Sequence, residues 1–349
     1  MENQALLEKL YGAQTLTAAE SEALFNAIML GELSNEQIAA ILVALKVRGE
    51  TIDEVNGAVL AAVKNAKPFP TPDYPFADIV GTGGDGYKTV NISTMSAIVL
   101  AAMGIPLVKH GNRASTSKSG SADVIEALGV NLDLEADALR RVFDDVGIAF
   151  LFANKMHPSM RFAAPVRRSL GFPTAFNVLG PLTNPARVQA CAIGASREEN
   201  ARLMAGVYAS RGLSALVFRG AHSGLDELTT TDVNQVWIVT GGAVTPTQFD
   251  ARESLGMASS TIADLAGGEA ADNAAVARDV LSGGGADAVR DAVALNVGAG
   301  ILAWEGLETP VTEEDFEQRM RGAVERALGA LADGDGARLI ERWVAASNA

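Results

Sequence analysis

Along the first 66 residues the apolar positions recur every three or four residues. Ile38, Ile41, Leu42 and Leu45 share one helical face, and Ile52, Val55, Val59 and Val63 share another. A polar signature precedes these runs: Thr17-Ala-Ala-Glu20, Ser34-Asn-Glu-Gln37 and Thr51-Ile-Asp-Glu54 each fit the capping box, in which two side chains satisfy free N–H groups at a helix start. Gly31 and Gly49 stand where C-terminal caps fall. The segment reads as a helical packing or dimer-forming domain, with polar residues suited to caps.

The segment KPFPTPDYPF (67–76) is proline-rich and polar and reads as a linker. Beyond it the period changes. ADIV (77–80) is a short apolar run ending in glycines, a buried strand; NISTMSAIVLAAMG is a helix ended by Gly104; IPLVKHG is the next strand. SADVIEALGV, ADALRRVFDDVG and IAFLFA continue the alternation, and ACAIGA, ENARLMAGVYASRG and SALVFRG repeat strand, helix, strand. This order predicts an α/β fold: a small N-terminal helical domain (1–70) followed by a larger α/β domain (71–349) with a mostly parallel central sheet. Residues 262–349 read as Ala-rich helices punctuated by GGG (283–285).

Composition narrows the function classes. The 349 residues are 48% hydrophobic and 20% charged, as in soluble globular proteins. A formal net charge of -14 argues against nucleic-acid partners and anionic membrane surfaces. One cysteine, Cys191, rules out an internal disulfide and fits a reducing cytoplasm; with no CxxC or Cys/His cluster, a zinc site is not expected. MENQALLEKL lacks the pattern of a signal peptide, and the longest apolar run, Ala97 to Val108, holds Gly104 and Pro106 and is too short to span a bilayer.

Against that acidic background, VKHGNRASTSKSGSADV (108–124) gathers Lys109, His110, Arg113 and Lys118 with five hydroxyls. It follows a strand, where α/β folds bind ligands, and its donors suit phosphate oxygens. GTGGDG (81–86) also follows a strand and precedes a helix. It meets the letter of the dinucleotide fingerprint, but no acid follows near the required twenty residues, so only the general reading survives: glycines and a helix start facing an anion. Two such loops suggest a ligand with two separated phosphate groups. GLDELTTTD (224–232) sets Asp226 beside Glu227; the pair suits Mg²⁺, or forms an ordinary acidic turn. HPSMRFAAPVRRSLG (157–171) reads as a helix bearing Arg161, Arg167 and Arg168, the residue type that grips carboxylates in a fork. TAFNVLGPLTNP (174–185) follows, rich in turn residues. There is no GxSxG, HExxH or Cys/His dyad, so nucleophilic hydrolysis is unsupported.

Taken together, DIVGTGGDG, NIST, KHGNRASTSKSGSAD, HPSMRFAAPVRRSLG, FNVLGPLTNP and GLDE stand in the order and spacing of the anthranilate phosphoribosyltransferase family, which the chain resembles from about residue 5 to about 340. The resemblance implies transfer of a phosphoribosyl group from phosphoribosyl pyrophosphate to anthranilate in tryptophan biosynthesis. It also implies Mg²⁺ as cofactor, a homodimer formed through the helical part, and a helical domain completed by helices from about 157–185. It puts phosphoribosyl pyrophosphate against Gly81, Gly84, Asp85, Thr89, Asn91, Ile92, Ser93 and Thr94. Lys109, His110, Gly111, Asn112, Arg113, Ala114, Ser115, Thr116 and Ser117 form a lid, with Ser121 beyond it. Magnesium falls to Ser93, Asp226 and Glu227, and anthranilate to Gly81, Asn112 and Arg167, with His110 and His157 lining its pocket. Arg167, Asn112 and His110 are the expected catalytic set, His110 as a minor proton acceptor. Two alternatives remain: a pyrimidine-nucleoside phosphorylase-like enzyme, which would not call for the acidic pair, and an inactive nucleic-acid-binding relative, which the net charge opposes.

Overall fold

The computed structural model describes residues 2–114 and 118–349; Ser115, Thr116 and Ser117, expected in the lid, lie outside the described residues. In chain order the elements begin with α1 (Glu2–Tyr11), α2 (Ala18–Leu30), α3 (Asn35–Arg48), α4 (Ile52–Lys64), β1 (Ala77–Gly81), α5 (Ile92–Ala102) and β2 (Leu107–Gly111). Then come α6 (Ser121–Ala127), α7 (Ala136–Val146), β3 (Ile148–Phe152), α8 (Ala153–Met156), α9 (Ala164–Leu170), α10 (Phe176–Leu182), β4 (Ala190–Gly194) and α11 (Glu198–Ser210). The remainder are β5 (Ser214–Gly220), β6 (Asn234–Thr240), β7 (Ala243–Phe249), α12 (Ala251–Leu255), α13 (Ala270–Leu281), α14 (Asp287–Glu305), α15 (Glu313–Ala332) and α16 (Asp335–Ser347). None of the described helices is long and apolar enough to cross a membrane.

The chain forms two compact units. One joins Met1–Pro68 to Ala153–Arg187; the other joins Phe69–Phe152 to Val188–Ala349. In the helical unit the three capping boxes are all formed, at Thr17, Ser34 and Thr51. Glu54 does more than cap: its side chain is buried, accepts from Leu16 N at 2.9 Å and pairs with Arg48, while its carbonyl accepts from Ser21 Oγ at 2.6 Å, binding α4 to α2. Such a buried carboxylate persists because every charge-bearing oxygen has a donor.

The stretch from His157 to Gly171 is not one helix. A 3₁₀ turn, Pro158–Phe162, precedes α9, because Pro165 has no N–H to donate backward and belongs in a first turn. The turn-rich segment after it folds as α10, with Pro181 near its end.

In the α/β unit, seven strands lie in the order β3-β2-β1-β4-β5-β6-β7. The first five run parallel; β6 and β7 are antiparallel, joined through Gly241-Gly242, both with positive φ. Ile79, Ala192 and Leu216 share an apolar cluster with α5 and α14 on one face of the sheet. Cys191 points the other way and pairs with the Tyr208 hydroxyl of α11. The segment expected as a linker is instead packed: Phe69, Tyr74 and Phe76 lay their rings around Phe143 of α7. Its prolines deny it regular structure, yet Phe69 and Phe76 are buried like core residues while Tyr74 stays partly exposed.

Candidate active site

From β1 the chain builds β2 and β3 on one side and β4 on the other. Such a reversal opens a crevice at the carboxyl ends of the two diverging strands, where ligands bind in open α/β sheets. Gly81 ends β1, Gly194 ends β4, and the two pair in register. Asp226 lies across both. A Cβ on Gly81 would stand 2.7 Å from Asp226 Oδ2, and one on Gly194 would stand 1.6 Å from the Asp226 carbonyl oxygen. Glycine at both strand ends lets the acidic loop approach this closely. Gly83 N–H donates to Asp226 Oδ2 at 2.6 Å, and Ser93 N–H, at the start of α5, donates to Glu227 Oε1 at 3.3 Å.

The acidic pair is 7% and 8% exposed. Burial raises the Asp226 carboxyl above the usual carboxylate range, and the neighbouring Asp85 carboxyl raises it further; Gly83 N–H opposes both. Burial and then Asp226 push Glu227 well above that range. Lys109 supplies a buried cation: Nζ donates to Ile79 O at 2.5 Å, and burial lowers its pKa while Asp78 and then Glu227 hold it up. Asp78 itself is buried in β1 and accepts from His110 N at 3.2 Å. Like charges gathered out of water are stabilised when a cation arrives.

Magnesium takes one or two carboxylates and fills its octahedron with water and phosphate oxygens. The buried, adjacent carboxylates of Asp226 and Glu227 are hard oxygen donors of that kind and fit the expected ion.

The remaining expected residues of this unit are placed as follows. Thr89 bridges to Ala266. Asn91 accepts from Asn273 Nδ2 at 2.8 Å and donates to Ser119 O at 3.4 Å. Ile92 is fully buried in the apolar cluster, and Thr94 is buried as well. Gly111 faces Ser121, whose Oγ would stand 2.2 Å from an added Cβ. Asn112 O accepts from Ala122 N at 3.2 Å and Ser121 Oγ at 3.4 Å. Arg113 is engaged by acids of α6, Asp123 at 2.9 Å and Glu126 at 2.8 Å, and its guanidinium lies 5.5 Å from the Phe152 ring centre. Ala114 N–H donates to Asp123 Oδ2 at 3.0 Å. Lys109, His110 and Gly111, expected in the lid, belong instead to β2, with Lys109 and His110 buried, because the apolar strand continues through them; Asn112, Arg113 and Ala114 lie in the loop and are tied back to α6.

Two expected residues belong to the helical unit. Arg167 lies 5.2 Å from the Phe176 ring centre, half-buried, with burial lowering its pKa and no carboxylate partner among the described residues. A guanidinium stacked on an aromatic face without an ion pair is preorganised for an anion. His157 is buried, Nε2 lies 3.0 Å from Thr183 O, and burial lowers its pKa to about 4.

Sequence reasoning passed over Asp78, Thr82, Ser196 and Phe176. An acid inside the apolar strand ADIVG was a usable signal for Asp78. Ser196 carries none, since its role follows from which strands are neighbours.

Comparison with known proteins places these features in context. Residues 73–337 match the Glycosyl transferase family, a/b domain, and residues 4–66 match the Glycosyl transferase family, helical bundle domain. The chain is 50% identical to the anthranilate phosphoribosyltransferase of Arthrobacter sp. (strain FB24), covering 97% of this chain and 94% of that one. It is 46% identical to that of Nocardia farcinica (strain IFM 10152), covering 98% and 99%. Among solved structures it is similar to the anthranilate phosphoribosyltransferase of Thermus thermophilus, with a TM-score of 0.90 at 38% identity over 99% of both chains. The enzyme from Saccharomyces cerevisiae in complex with PRPP and Mg gives a TM-score of 0.85 at 25% identity over 99% of this chain and 98% of that one. With its two domains, its glycine loop and its acidic pair, the chain belongs to the anthranilate phosphoribosyltransferase family.

Proposed function

We propose that this chain transfers the phosphoribosyl group from phosphoribosyl pyrophosphate to the amine of anthranilate, releasing pyrophosphate, with Mg²⁺ as cofactor. The reading is supported above all by the way the acidic pair meets the two predicted anion sites: Gly83 N–H of the glycine loop donates to Asp226, and Ser93 N–H at the start of α5 donates to Glu227. A second support is the relative from Saccharomyces cerevisiae solved with PRPP and Mg.

Asp226 and Glu227, with Ser93, would hold the magnesium, which when bound neutralises charge on pyrophosphate. Backbone N–H groups of the loop from Gly81 to Asp85, and of the α5 start from Asn91 to Thr94, bind the phosphates. Ile92 and Thr94 are buried, so their contact is through the backbone. Thr89, the loop residues Asn112 to Ala114 and Ser121 would face the phosphoribosyl side, with Lys109 as a buried cation beneath it in β2. Arg167 receives the anthranilate carboxylate in its fork, and Asn112 and Gly81 help place the ring, with His110 and His157 beside it. The ribosyl centre passes through an oxocarbenium-like state as the bond to pyrophosphate breaks, so the residues act by charge stabilisation and positioning. An aromatic amine is nucleophilic when neutral and needs no strong base; His110 serves as a minor proton acceptor.

We also propose a homodimer through the helical unit, in the cytoplasm. Val47 is 82% exposed, and Leu30, Tyr11, Val43 and Ile52 of the same unit are also exposed. These exposed apolar side chains are available to an association surface and support the reading.

Asp226→Asn combined with Glu227→Gln should abolish Mg²⁺-dependent formation of phosphoribosyl anthranilate. Retained turnover with unchanged Mg²⁺ dependence would refute the assignment.

A further inference from the structure

The loop that follows β4 carries none of the motifs that mark the active site, yet its Ser196 meets the glycine loop at three points, and Gly194 at the end of β4 meets it at a fourth. Thr82 N–H donates to Gly194 O at 2.9 Å. Ser196 N–H donates to Thr82 Oγ1 at 3.1 Å, and Ser196 Oγ donates to Gly83 O at 3.0 Å. The two hydroxyl oxygens are themselves 3.3 Å apart. One peptide bond separates Thr82 from Gly83, and Gly83 N–H is the donor that holds Asp226 Oδ2 at 2.6 Å.

We propose that Ser196 is a positioning residue for the transfer reaction. Its amide and hydroxyl clamp the Thr82–Gly83 segment across the β1/β4 crevice, so that Gly83 N–H is fixed on the Asp226 carboxylate. Gly83 has φ of 65°, the left-handed region that glycine adopts without steric cost; within the loop Thr82 Oγ1 donates to Gly83 O at 3.1 Å, and Ser196 adds two bonds to the same segment from outside it. Ser196 stands two residues beyond the end of β4, the strand that pairs with β1, so its bonds tie the glycine loop to the adjacent strand end. Ser196 O also stands 3.0 Å from where a Cβ on Gly224 would lie, so the same residue abuts the loop that carries Asp226 and Glu227. Ser196 therefore touches both the glycine loop and the loop that carries the acidic pair.

The inference rests on the assignment of Asp226 to magnesium, and its test separates the two. Binding of phosphoribosyl pyrophosphate is measured by calorimetry at a series of MgCl₂ concentrations, without anthranilate, for the full-length wild type and Ser196→Ala, Ser196→Thr and Asp226→Asn. Steady-state KM values for each substrate and thermal melts are collected alongside. Loss of one loop-orienting hydrogen bond should raise the half-saturating Mg²⁺ concentration about five- to tenfold in Ser196→Ala. The anthranilate KM and the Tm should stay near wild type. Ser196→Thr, which keeps the hydroxyl, should recover most of the loss. Thr82→Val should act in the same direction and combine with Ser196→Ala less than additively, because both break one clamp. Unchanged Mg²⁺ dependence in Ser196→Ala, or no recovery in Ser196→Thr, would overturn the role. Asp226→Asn with wild-type Mg²⁺ dependence would overturn the metal assignment beneath it.

Discussion

The substitution Gly194→Ala tests whether the close approach of Asp226 to the strand ends matters for catalysis. Gly194 does not need glycine for its backbone angles; it needs glycine because its missing Cβ is occupied. The new methyl would start 1.6 Å from the Asp226 carbonyl oxygen and 2.6 Å from its carbonyl carbon, where real Cβ contacts essentially never fall below 3.0 Å. The contact is with backbone, so no side-chain rotation relieves it. The acidic loop must retreat by about 1.4 Å to reach even that limit, carrying the Asp226 carboxylate away from Gly83 N–H. A misplacement of about 1 Å can cost roughly a hundredfold in rate, while overpacking a site costs about 1–3 kcal/mol of stability. The expected variant is therefore folded, slightly less heat-stable, and slower by about two orders of magnitude in kcat/KM for phosphoribosyl pyrophosphate. Loss of anthranilate fluorescence under initial-rate conditions reports the first quantity, and a thermal melt the second. Wild-type turnover in Gly194→Ala would refute this account.

Two further predictions address the helical unit. Arg167→Lys keeps the charge but loses the planar fork stacked on Phe176, so the anthranilate KM should rise about tenfold or more while the phosphoribosyl pyrophosphate KM stays within about twofold; the reverse pattern would show that the substrates are misassigned. His157 has a folded pKa of about 4 against an ordinary 6.5, so the unfolded chain binds the extra proton first as pH falls. Stability attributable to it is complete above pH 6.5 and declines toward pH 4, by about 2 kcal/mol at pH 5. Urea unfolding at pH 7.5 and 5 should show a shallower decline in His157→Gln, and an equal decline would remove the assignment.

Much of the fold is legible because the chain is locally consistent. Capping boxes open α2, α3 and α4 as their residues dictate, and apolar runs stopped by glycine become β1, β2 and β4. Local signals fail where tertiary burial decides. Phe69 and Phe76 turn a proline-rich stretch into packed structure against Phe143, and Pro165 divides what periodicity joins. The sheet turns antiparallel at β5–β6, and β7 follows through the Gly241-Gly242 hairpin, a signal overshadowed by the strand–helix alternation before it. The candidate site shows the same divide. GTGGDG and the Asp226-Glu227 pair are visible as residue types, but their meeting depends on β1 lying beside β4 in register. Thr82 and Ser196 carry no motif, and only that strand order brings them within hydrogen-bond distance.

The central claim is the transfer itself. Purified protein mixed with anthranilate, phosphoribosyl pyrophosphate and Mg²⁺ should consume anthranilate fluorescence and release pyrophosphate in equal amounts, with neither change when Mg²⁺ is chelated. Anthranilate left unconsumed by folded protein under these conditions would contradict the account, as would pyrophosphate released without anthranilate loss.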